Sequence, residues 1–425
     1  MSRAELPRGW QWKTIGEVCR VIPGFAFKSK DWADSGIPVI KIKNIKSDCT
    51  IDVSNTDCVP PEVVSEKMGK FRLRKGDILI AMTGATAGKV GWLSSDREFL
   101  LNQRVAKLDP VDIEKRFFWG VISGRRYQDL FFHLADGAAQ PNMSGKQIEN
   151  VEIPVPPHQA QLHLASIVST YDDLIENNTR RIEILEEMAR RLYEEWFVHF
   201  RFPGHEEVSF KESELGEIPE KWEVRQLEEV VALNPRTKVP KEGEKWFVPM
   251  GALSESSMVV GSLEKKSGNS GAKFQNGDTL VARITPCLEN GKTGFVDFLP
   301  EEQPTACGST EFIVLRSISL CPEMVYLLAR SDRFRDVAIK SMSGATGRQR
   351  VRVESLVELP VVQPDHATLE AFQRFVVPCF KQVRTLALKN ANLRAQRDLL
   401  LPKLVSGEID VSDITMPEDK EVEAA

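Results

Sequence analysis

The sequence lacks most of the features that mark membrane, secreted or metal-dependent proteins. None of its apolar runs reaches the ~18 residues that a membrane-spanning helix requires, and its N-terminal stretch has no apolar core of a secretory signal. Its seven cysteines are scattered without a CxxC pair, and its six histidines include no HExxH motif. We therefore expect a cytoplasmic protein with reduced thiols and without a zinc site or any other bound metal.

The sequence also lacks the common motifs of nucleotide-dependent and DNA-modifying enzymes. Gly291-Lys292-Thr293 ends like a phosphate-binding loop, but Pro286 stands where that loop needs its first glycine. The similar stretch at residues 84–89 is one spacer residue too short, and Asn234-Pro235-Arg236 lacks the Pro-aromatic ending of an amino-methyltransferase motif. These absences favour a binding protein without catalytic residues over a stand-alone nuclease or methyltransferase.

The net charge of −5 at first argues against a nucleic-acid partner, but the charge is unevenly distributed. Residues 1–157 carry 23 basic and 19 acidic side chains, whereas residues 206–229 carry 3 basic and 9 acidic ones. The stretch that follows, residues 230–362, again has a basic excess, with 17 against 15. Two mildly basic regions are compatible with a polyanionic partner, although most of these charges are expected on solvated surface.

Short matches in the same order indicate that the chain consists of two related halves. Leu6-Pro7-x-x-Trp10 returns as Ile218-Pro219-x-x-Trp222, and Gly76-Asp77-x-Leu79 returns as Gly277-Asp278-x-Leu280. With the other matches, the offsets between the two copies range from 201 to 212 residues. The alternative explanation is coincidence among common turn residues.

Each half begins with short apolar runs broken by turn residues and ends with a long helical pattern. The runs at residues 37–42, 77–82, 246–250 and 279–284 predict strands, and residues 117–134 and 322–339 have apolar positions at helical spacing. We predict an α+β protein with two tandem mixed α/β domains, residues 1–157 and 206–362. The second domain would begin with an acidic linker at residues 206–229, and a C-terminal tail would occupy residues 411–425.

The long helices are predicted at residues 158–205 and 363–410, where apolar residues recur every three and four positions for about four heptads. This pattern is typical of a coiled coil, and an asparagine on each seam is typical of a register-fixing pair. Two matched helices favour antiparallel pairing with each other, although each one alone could be a core helix of an all-α bundle. The predicted seam consists of Tyr171, Ile175, Asn178, Ile182, Leu185, Leu192, Val383, Leu386, Asn390, Leu393 and Leu400.

Local clusters of basic and amide side chains suit DNA recognition better than the net charge does. Lys41, Lys43 and Lys46 alternate in a way that predicts one face of a strand. Two glycine-flanked loops, residues 140–146 and 344–352, carry Gln, Asn, Lys and Arg side chains, which bond base edges and phosphates. The alternative for any one of these residues is an ordinary polar position on a surface loop.

Taken in order, these motifs resemble the specificity subunits of type I restriction–modification enzymes across almost the whole chain. The resemblance is carried by Gly76-Asp77, Gly84-x-x-x-Gly88-Lys89, Leu101-Asn102-Gln103, the proline run at residues 154–157, Ser309-Thr-Glu-Phe312 and Ser406-Gly-Glu-Ile-Asp410. His158-Gln159-Ala160 departs from the Glu-Gln pair that the family usually has after the prolines.

The resemblance implies two target-recognition domains that each read one half of a split sequence in double-stranded DNA. The two helices would hold these domains at a fixed distance, in a pseudo-two-fold internal repeat. Such a subunit has no catalysis and no cofactor of its own. It docks two methyltransferase subunits, which use S-adenosylmethionine, and restriction subunits, which use ATP and Mg²⁺. A coiled-coil scaffold that binds only proteins is the alternative function.

The residues that we predict to contact DNA are basic, amide and hydroxyl side chains of the two domains. They are Lys28, Lys41, Lys43, Asn44, Lys46, Thr83, Lys89, Gln103, Arg104, Gln140, Asn142, Lys146, Arg236, Lys238, Arg283, Lys292, Thr346, Arg348, Gln349 and Arg350.

Overall fold

A computed structural model of the chain describes residues 6–135, 142–344, 349–409 and residue 411. The chain divides into two compact units. Unit 1 comprises residues 1–175 together with residues 392–425, and unit 2 comprises residues 176–391. Every helix in the described ranges is too short or too polar to cross a membrane.

The strands described in unit 1 form two four-stranded sheets and one strand pair. The strands are β1 (Gln11–Thr14), β2 (Cys19–Pro23), β3 (Ile37–Ile40), β4 (Asp57–Val59), β5 (Arg72–Leu73), β6 (Ile78–Ala81), β7 (Val90–Trp92), β8 (Phe99–Leu101), β9 (Val105–Pro110) and β10 (Glu152–Val155). The first sheet is antiparallel and has the order β2-β9-β6-β7. The second has the order β4-β3-β8-β5 with β3 and β8 parallel, and β1 pairs with β10.

Unit 2 has sheets of corresponding order and an additional hairpin. The strands are β11 (Phe210–Ser213), β12 (Gly216–Pro219), β13 (Glu223–Gln226), β14 (Val231–Leu233), β15 (Glu244–Val248), β16 (Glu264–Ser267), β17 (Ala272–Gln275), β18 (Thr279–Ala282), β19 (Thr293–Phe295), β20 (Thr305–Gly308), β21 (Phe312–Ser317) and β22 (Pro360–Gln363). The two sheets have the orders β14-β21-β18-β19 and β16-β15-β20-β17, with β15 and β20 parallel, and β13 pairs with β22. The extra hairpin consists of β11 and β12.

Short helices cover the sheets, and two long helices follow the sheet regions. They are α1 (Ile15–Val18), α2 (Lys115–Ser123), α3 (Arg125–Ala135), α4 (Gly145–Glu149), α5 (His158–Tyr193), α6 (Leu227–Val230), α7 (Pro322–Arg330), α8 (Asp332–Lys340), α9 (Glu354–Val357) and α10 (His366–Val405). The helical stretches predicted at residues 117–134 and 322–339 are each interrupted, by Gly124 and by Ser331. Both of these residues have extended backbone and therefore end one helix before the next begins.

The Gly-Asp motif of each half forms the turn that leads into a central strand. Gly76 and Gly277 have φ of 86° and 89°, a conformation that glycine adopts without a Cβ clash. In unit 1 the Asp77 carboxylate accepts from the backbone of Arg74 at 2.9 Å and pairs with Lys107 at 2.9 Å. In unit 2 the buried Asp278 pairs with Arg316 in the same way, at 2.7 Å. The repeated motif therefore stabilises a turn and a buried ion pair in each unit.

The predicted seam residues of the two long helices lie on the buried side of each helix. Ile175, Ile182, Val383 and Leu386 are buried, and Asn390 is 3% exposed. The other seam positions, Tyr171, Asn178, Leu185, Leu192, Leu393 and Leu400, are partly buried. In an amphipathic helix such a stripe marks the face that packs against the rest of the molecule.

Segments of both helices pack together within each unit. In unit 2 the Asn178 Nδ2 donates to Asn390 Oδ1 at 3.0 Å, and the rings of Phe197 and Phe372 lie 4.9 Å apart. Residue 178 contacts residue 390, whereas the later residue 197 contacts the earlier residue 372. The two segments are therefore antiparallel in unit 2. In unit 1, Arg397 Nη1 donates to Asp172 Oδ1 at 2.8 Å. The long helices thus contribute to the core of each unit.

Three expectations about element bounds are corrected. Residues 206–229 are not a plain linker, because they contain the hairpin β11–β12, the strand β13 and the start of α6. The helix expected at residues 158–205 ends at Tyr193 and continues only as a π-helical turn, Glu194–Val198. The strand expected to carry Lys41, Lys43 and Lys46 ends at Ile40, and residues 42–44 form a tight 3₁₀ turn instead.

The C-terminal end of α10 is expected to be essential for the stability of unit 1. Leu401 is 4% exposed and lies against Gly120, next to Val168. Leu401→Ala should lower the free energy of unfolding by about 2–5 kcal/mol because it leaves a cavity in a packed core. Leu399, which is 68% exposed two residues away, is the matched control; Leu399→Ala should change stability by less than about 0.5 kcal/mol. Equal effects in urea denaturation would contradict this packing.

A buried carboxylate should make the stability of unit 2 depend on pH. Burial raises the pKa of Asp297 to about 6 from 3.8, although Arg384 lies 3.8 Å from its carboxylate. The pKa of Asp297 is higher in the folded state than in the unfolded state, so the protonated side chain stabilises the folded state relative to the ionised one. This stabilisation is present below about pH 4 and is lost as the pH rises to about 6. As the pH rises from 4.5 to 8, the free energy of unfolding of Asp297→Asn should therefore increase relative to that of the wild type, by an amount on the order of 2–3 kcal/mol.

The control for this prediction is the exposed Asp336 of the same unit. Asp336→Asn should follow the wild-type pH profile in urea denaturation. If the Asp297→Asn profile also runs parallel to that of the wild type, Asp297 does not titrate as its burial indicates.

Candidate nucleic-acid interface

In unit 1, backbone hydrogen bonds at the end of β6 bring four of the predicted DNA-contacting residues together. The Met82 N–H donates to Arg104 O at 2.9 Å, and the adjacent Thr83 forms an antiparallel bridge with Asn142. Gln103 lies beside Arg104, and the side chains of Gln103, Arg104 and Asn142 are exposed. This junction therefore presents amide and guanidinium donors on one surface of unit 1.

The glycine turn after β6 extends the same region. Gly88 has φ of 84°, and a Cβ there would lie 2.6 Å from the backbone nitrogen of Phe132, so no larger residue fits. The turn leads to Lys89, whose Nζ donates to Ser47 Oγ at 2.9 Å. Ser47 follows Lys46, which pairs with Asp52 at 3.0 Å. The turn and the lysine loop are thus joined in a single basic and polar patch.

Lys41 and Lys43 are partly neutralised by a shared carboxylate. Both ammonium groups lie 3.0 Å from Asp57 and lower the pKa of its carboxyl through hydrogen bonds and charge. The Lys41 ammonium also lies 3.3 Å from the centre of the Trp32 ring. Of the two, Lys43 is the more exposed and the better placed for a phosphate.

The prediction that Asn44 contacts DNA is wrong, because its side chain is buried and its polar atoms are hydrogen-bonded to backbone groups. It is 1% exposed, and its Nδ2 donates to Asp52 O at 2.8 Å and to Asn55 O at 3.0 Å. Its Oδ1 accepts from the Lys41 backbone at 2.9 Å. With every polar atom engaged by the backbone of its own loop, Asn44 stabilises this loop and cannot contact a base.

Unit 2 repeats the junction with different side chains. The Arg283 N–H donates to Glu311 O at 2.9 Å, and the adjacent Ile284 forms a bridge with Arg350. Thr285 donates to Gln349 O at 3.1 Å. By their backbone pairing, Glu311 and Arg350 therefore occupy the positions that Arg104 and Asn142 occupy in unit 1.

Glu311 is a residue of this site that the sequence pattern did not single out as a contact. Its carboxylate accepts from Arg350 Nε at 2.9 Å and from Arg350 Nη2 at 2.6 Å. These hydrogen bonds are the main cause that lowers the pKa of Glu311, and the charge of Arg283 adds to them. The motif Ser309-Thr-Glu-Phe312 contains Glu311, but nothing in the spacing places it beside Arg350, 39 residues later.

The remaining predicted residues lie apart from these junctions or outside the described residues. Lys28 precedes the short turn Ser29–Asp31, and Lys146 is an exposed residue of α4. Lys292 follows the turn after β18, just as Lys89 follows the turn after β6. Arg236 and Lys238 lie after β14 and are exposed. Gln140, Thr346 and Arg348 are outside the described residues. Within the described ranges, no group of three or more His, Cys, Asp or Glu side chains could hold a metal ion.

Comparison with known proteins finds several type I restriction enzyme specificity subunits that resemble this chain. A family model described as a type I restriction modification DNA specificity domain matches residues 7–187. The type I restriction enzyme MjaIX specificity subunit of Methanocaldococcus jannaschii is 24% identical over 426 residues, which cover 96% of each chain. The HindI specificity subunit of Haemophilus influenzae is 21% identical over 469 residues, which cover 94% of this chain and 99% of that subunit.

The chain is thus similar to type I restriction enzyme specificity subunits over almost its whole length. A solved structure agrees at the level of the fold. The type I restriction–modification S subunit from M. genitalium has a TM-score of 0.53 and 14% identity, with 95% of this chain and 98% of that chain covered. These similarities agree with the resemblance seen in the motifs, and the structure shows the mixed α and β architecture that was expected.

Asn44→Ala should destabilise unit 1 and leave any DNA sequence preference unchanged. The substitution leaves the Asp52 and Asn55 carbonyls without their side-chain donor, which should cost about 1–3 kcal/mol in the free energy of unfolding. Asn142→Ala is the control, since Asn142 is exposed and its substitution should change stability by less than about 0.5 kcal/mol. A stable Asn44→Ala variant with altered sequence preference would reverse these roles.

Proposed function

We propose that this chain is the DNA sequence-specificity subunit of a type I restriction–modification complex and reads a bipartite target. The observation that carries the proposal is the junction found once in each unit. In each unit a central strand, β6 or β18, ends beside a loop that presents Asn or Arg side chains. These side chains suit base edges, whereas the lysines nearby suit phosphates.

We further propose that the two units are copies of one recognition domain in a pseudo-two-fold repeat. The corresponding strand orders, the two Gly-Asp turns and the two strand-end junctions all support this duplication. Duplicated domains related by a two-fold axis suit the two-fold symmetry of the DNA backbone. The two junctions nevertheless carry different side chains, so the two half-sites should differ in sequence.

The long helices are proposed to form an antiparallel coiled-coil spacer between the recognition domains. The buried seam and the hydrogen bond between Asn178 and Asn390 support this role, since polar seam pairs fix register. A second hydrogen bond, from Asn390 Nδ2 to Thr179 Oγ1 at 3.1 Å, satisfies the buried amide further. A 40-residue helix is about 60 Å long, which suits a rigid spacer.

The proposed partners are double-stranded DNA, two methyltransferase subunits that use S-adenosylmethionine, and restriction subunits that use ATP and Mg²⁺. The chain itself would have no catalytic residues and bind no cofactor. Exposed apolar side chains on the long helices, Ile184, Met188 and Leu388 in unit 2, support docking of a protein partner there. Ile184 and Met188 are four residues apart and therefore share one face of α5, where neighbouring exposed apolar side chains suit a protein partner.

The experiment that tests this function is a methylome of cells that express the chain with its methyltransferase subunit. We expect N6-methyladenine at a motif of two specific halves separated by unspecific base pairs. Exchanging residues 1–157 for the same region of a relative should change one half and leave the other. A continuous motif, or one that this exchange does not alter, would contradict the proposal. A protein scaffold without DNA recognition would give no methylated motif.

The spacer makes a separate prediction about the length of the unspecific gap. Insertion of one heptad into both α5 and α10, beside Asn178 and Asn390, lengthens each helix by roughly 10 Å. This equals about three base pairs at 3.4 Å each, so the methylated motif should acquire a gap about three base pairs longer. Insertion into α5 alone is the control; it breaks the seam register and should abolish methylation. An unchanged gap in the double insertion would show that the helices do not set it.

A further inference from the structure

The loop that returns to β18 in unit 2 holds an arginine in one defined orientation. Arg350 Nε and Nη2 donate hydrogen bonds to the Glu311 carboxylate, so one edge of the guanidinium is occupied. The second edge, formed by Nη1 and the outer N–H of Nη2, points away from this grip by the planar geometry of the group. Among the described residues, no hydrogen bond engages Nη1, and the side chain is 49% exposed.

Both members of the pair are fixed by their backbones. Arg350 exchanges two hydrogen bonds with Ser343, at 2.9 and 3.0 Å, and its neighbour Val351 donates to Arg283 O at 2.9 Å. Glu311 accepts from Arg283 N, and its own N–H donates to Ser309 Oγ at 3.2 Å. A guanidinium held in this way loses little rotamer freedom when it binds a ligand, which favours a specific contact.

The charge of the pair distinguishes between the two kinds of DNA contact. A phosphate contact gains most from an uncompensated cation, but Glu311 neutralises Arg350 and would repel a phosphate placed beside it. A base edge is uncharged and needs correctly directed donors instead. The free edge offers two parallel N–H donors, the pattern that fits the O6 and N7 acceptors of guanine in the major groove.

The corresponding positions of unit 1 carry a different set of groups. Arg104 stands where unit 2 has Glu311, and Asn142 stands where unit 2 has Arg350. Unit 1 therefore has no carboxylate at this position to orient an arginine. Among the residues that the structure describes, the paired arrangement at this junction therefore occurs in unit 2 and not in unit 1.

We propose that Arg350 reads a guanine in the half-site recognised by unit 2, and that Glu311 is a positioning residue that directs its free edge. The inference rests on the proposed function, because it requires that unit 2 contacts DNA. It adds which base is read, by which side chain and in which half of the target.

The test is the methylome of the whole complex with Arg350→Ala, Arg350→Lys and Glu311→Ala variants of the full chain. The wild-type motif should contain a guanine in the half-site that changes when unit 2 is exchanged. All three variants should relax that one position, reducing the preference for guanine by about 5- to 150-fold, which is the discrimination of one bidentate contact. The other half-site should remain as in the wild type. The double variant Arg350→Ala, Glu311→Ala should relax the position no further than Arg350→Ala alone.

Arg350→Lys separates base reading from a structural role. It keeps the positive charge and a partner for Glu311 but lacks the two-donor fork, so it should relax the motif while the melting temperature stays unchanged. If Arg350→Ala fails to fold, the lysine variant decides the question. The matched control is Arg225, whose Nε and Nη2 both donate to Glu223 Oε2 on β13. Arg225→Ala should leave the motif intact.

The outcomes separate this inference from the proposed function. A split wild-type motif that Arg350→Lys leaves unchanged would overturn the inference alone, as would relaxation at an A·T pair. Equal relaxation by Arg225→Ala would also overturn it, because the effect would then come from stability. Absence of any split motif in the wild type would overturn the proposed function itself.

Discussion

The packing of both long helices into the core of each unit is the interaction on which the rest of the structure depends. In unit 2, Trp196 and Phe197 from the π-helical turn after α5 meet Phe372 from the start of α10, with Trp222 of the sheet region against Phe197. In unit 1, the end of α10 supplies Leu401 and Leu404 to a core that also contains residues of α2. Each unit therefore requires segments of both helices to complete its core.

This arrangement brings two parts of the chain that are distant in sequence into the same unit. Among the described residues, unit 1 combines residues 6–175 with residues 392–409, and the end of α10 completes its core. Gly407 lies close to Pro7, and Val411 is buried with its carbonyl 3.4 Å from the ring of His163. Under the proposed function, the same packing attaches each recognition domain to the helices that space it, so a shift of the helices would move the half-site contacts with it.

Much of the fold could be predicted because repetition and apolar periodicity are local properties of a sequence. The apolar runs that became β6 and β18, and the seam of α5 and α10, depend on spacing within one element. The acidic stretch at residues 206–229 was misread, since charge alone does not distinguish a linker from an exposed hairpin such as β11–β12. The strand prediction for the lysine loop fails because only Lys41 and Lys43 are two residues apart, whereas Lys46 follows three residues later and residues 42–44 form a 3₁₀ turn.

The site was harder to predict because its geometry depends on contacts between distant residues. Asn44 looked like a base-reading amide, but the carbonyls that bury it, Asp52 and Asn55, follow it along the same loop. Glu311 is recognised only through Arg350, which the fold places beside it. A residue type and its neighbours in sequence indicate what a side chain can bond, whereas the fold determines whether another side chain has already bonded it.

Under the proposed function, two recognition units held by one helical spacer read a target of fixed spacing. The most direct measurement is the affinity of the complex with its methyltransferase subunits for duplexes in which the gap between the half-sites varies by single base pairs. The account predicts strong binding at one gap length and a steep loss one base pair to either side, since the second half-site then moves by about 3.4 Å and rotates around the helix axis. Equal affinity across several gap lengths would contradict it.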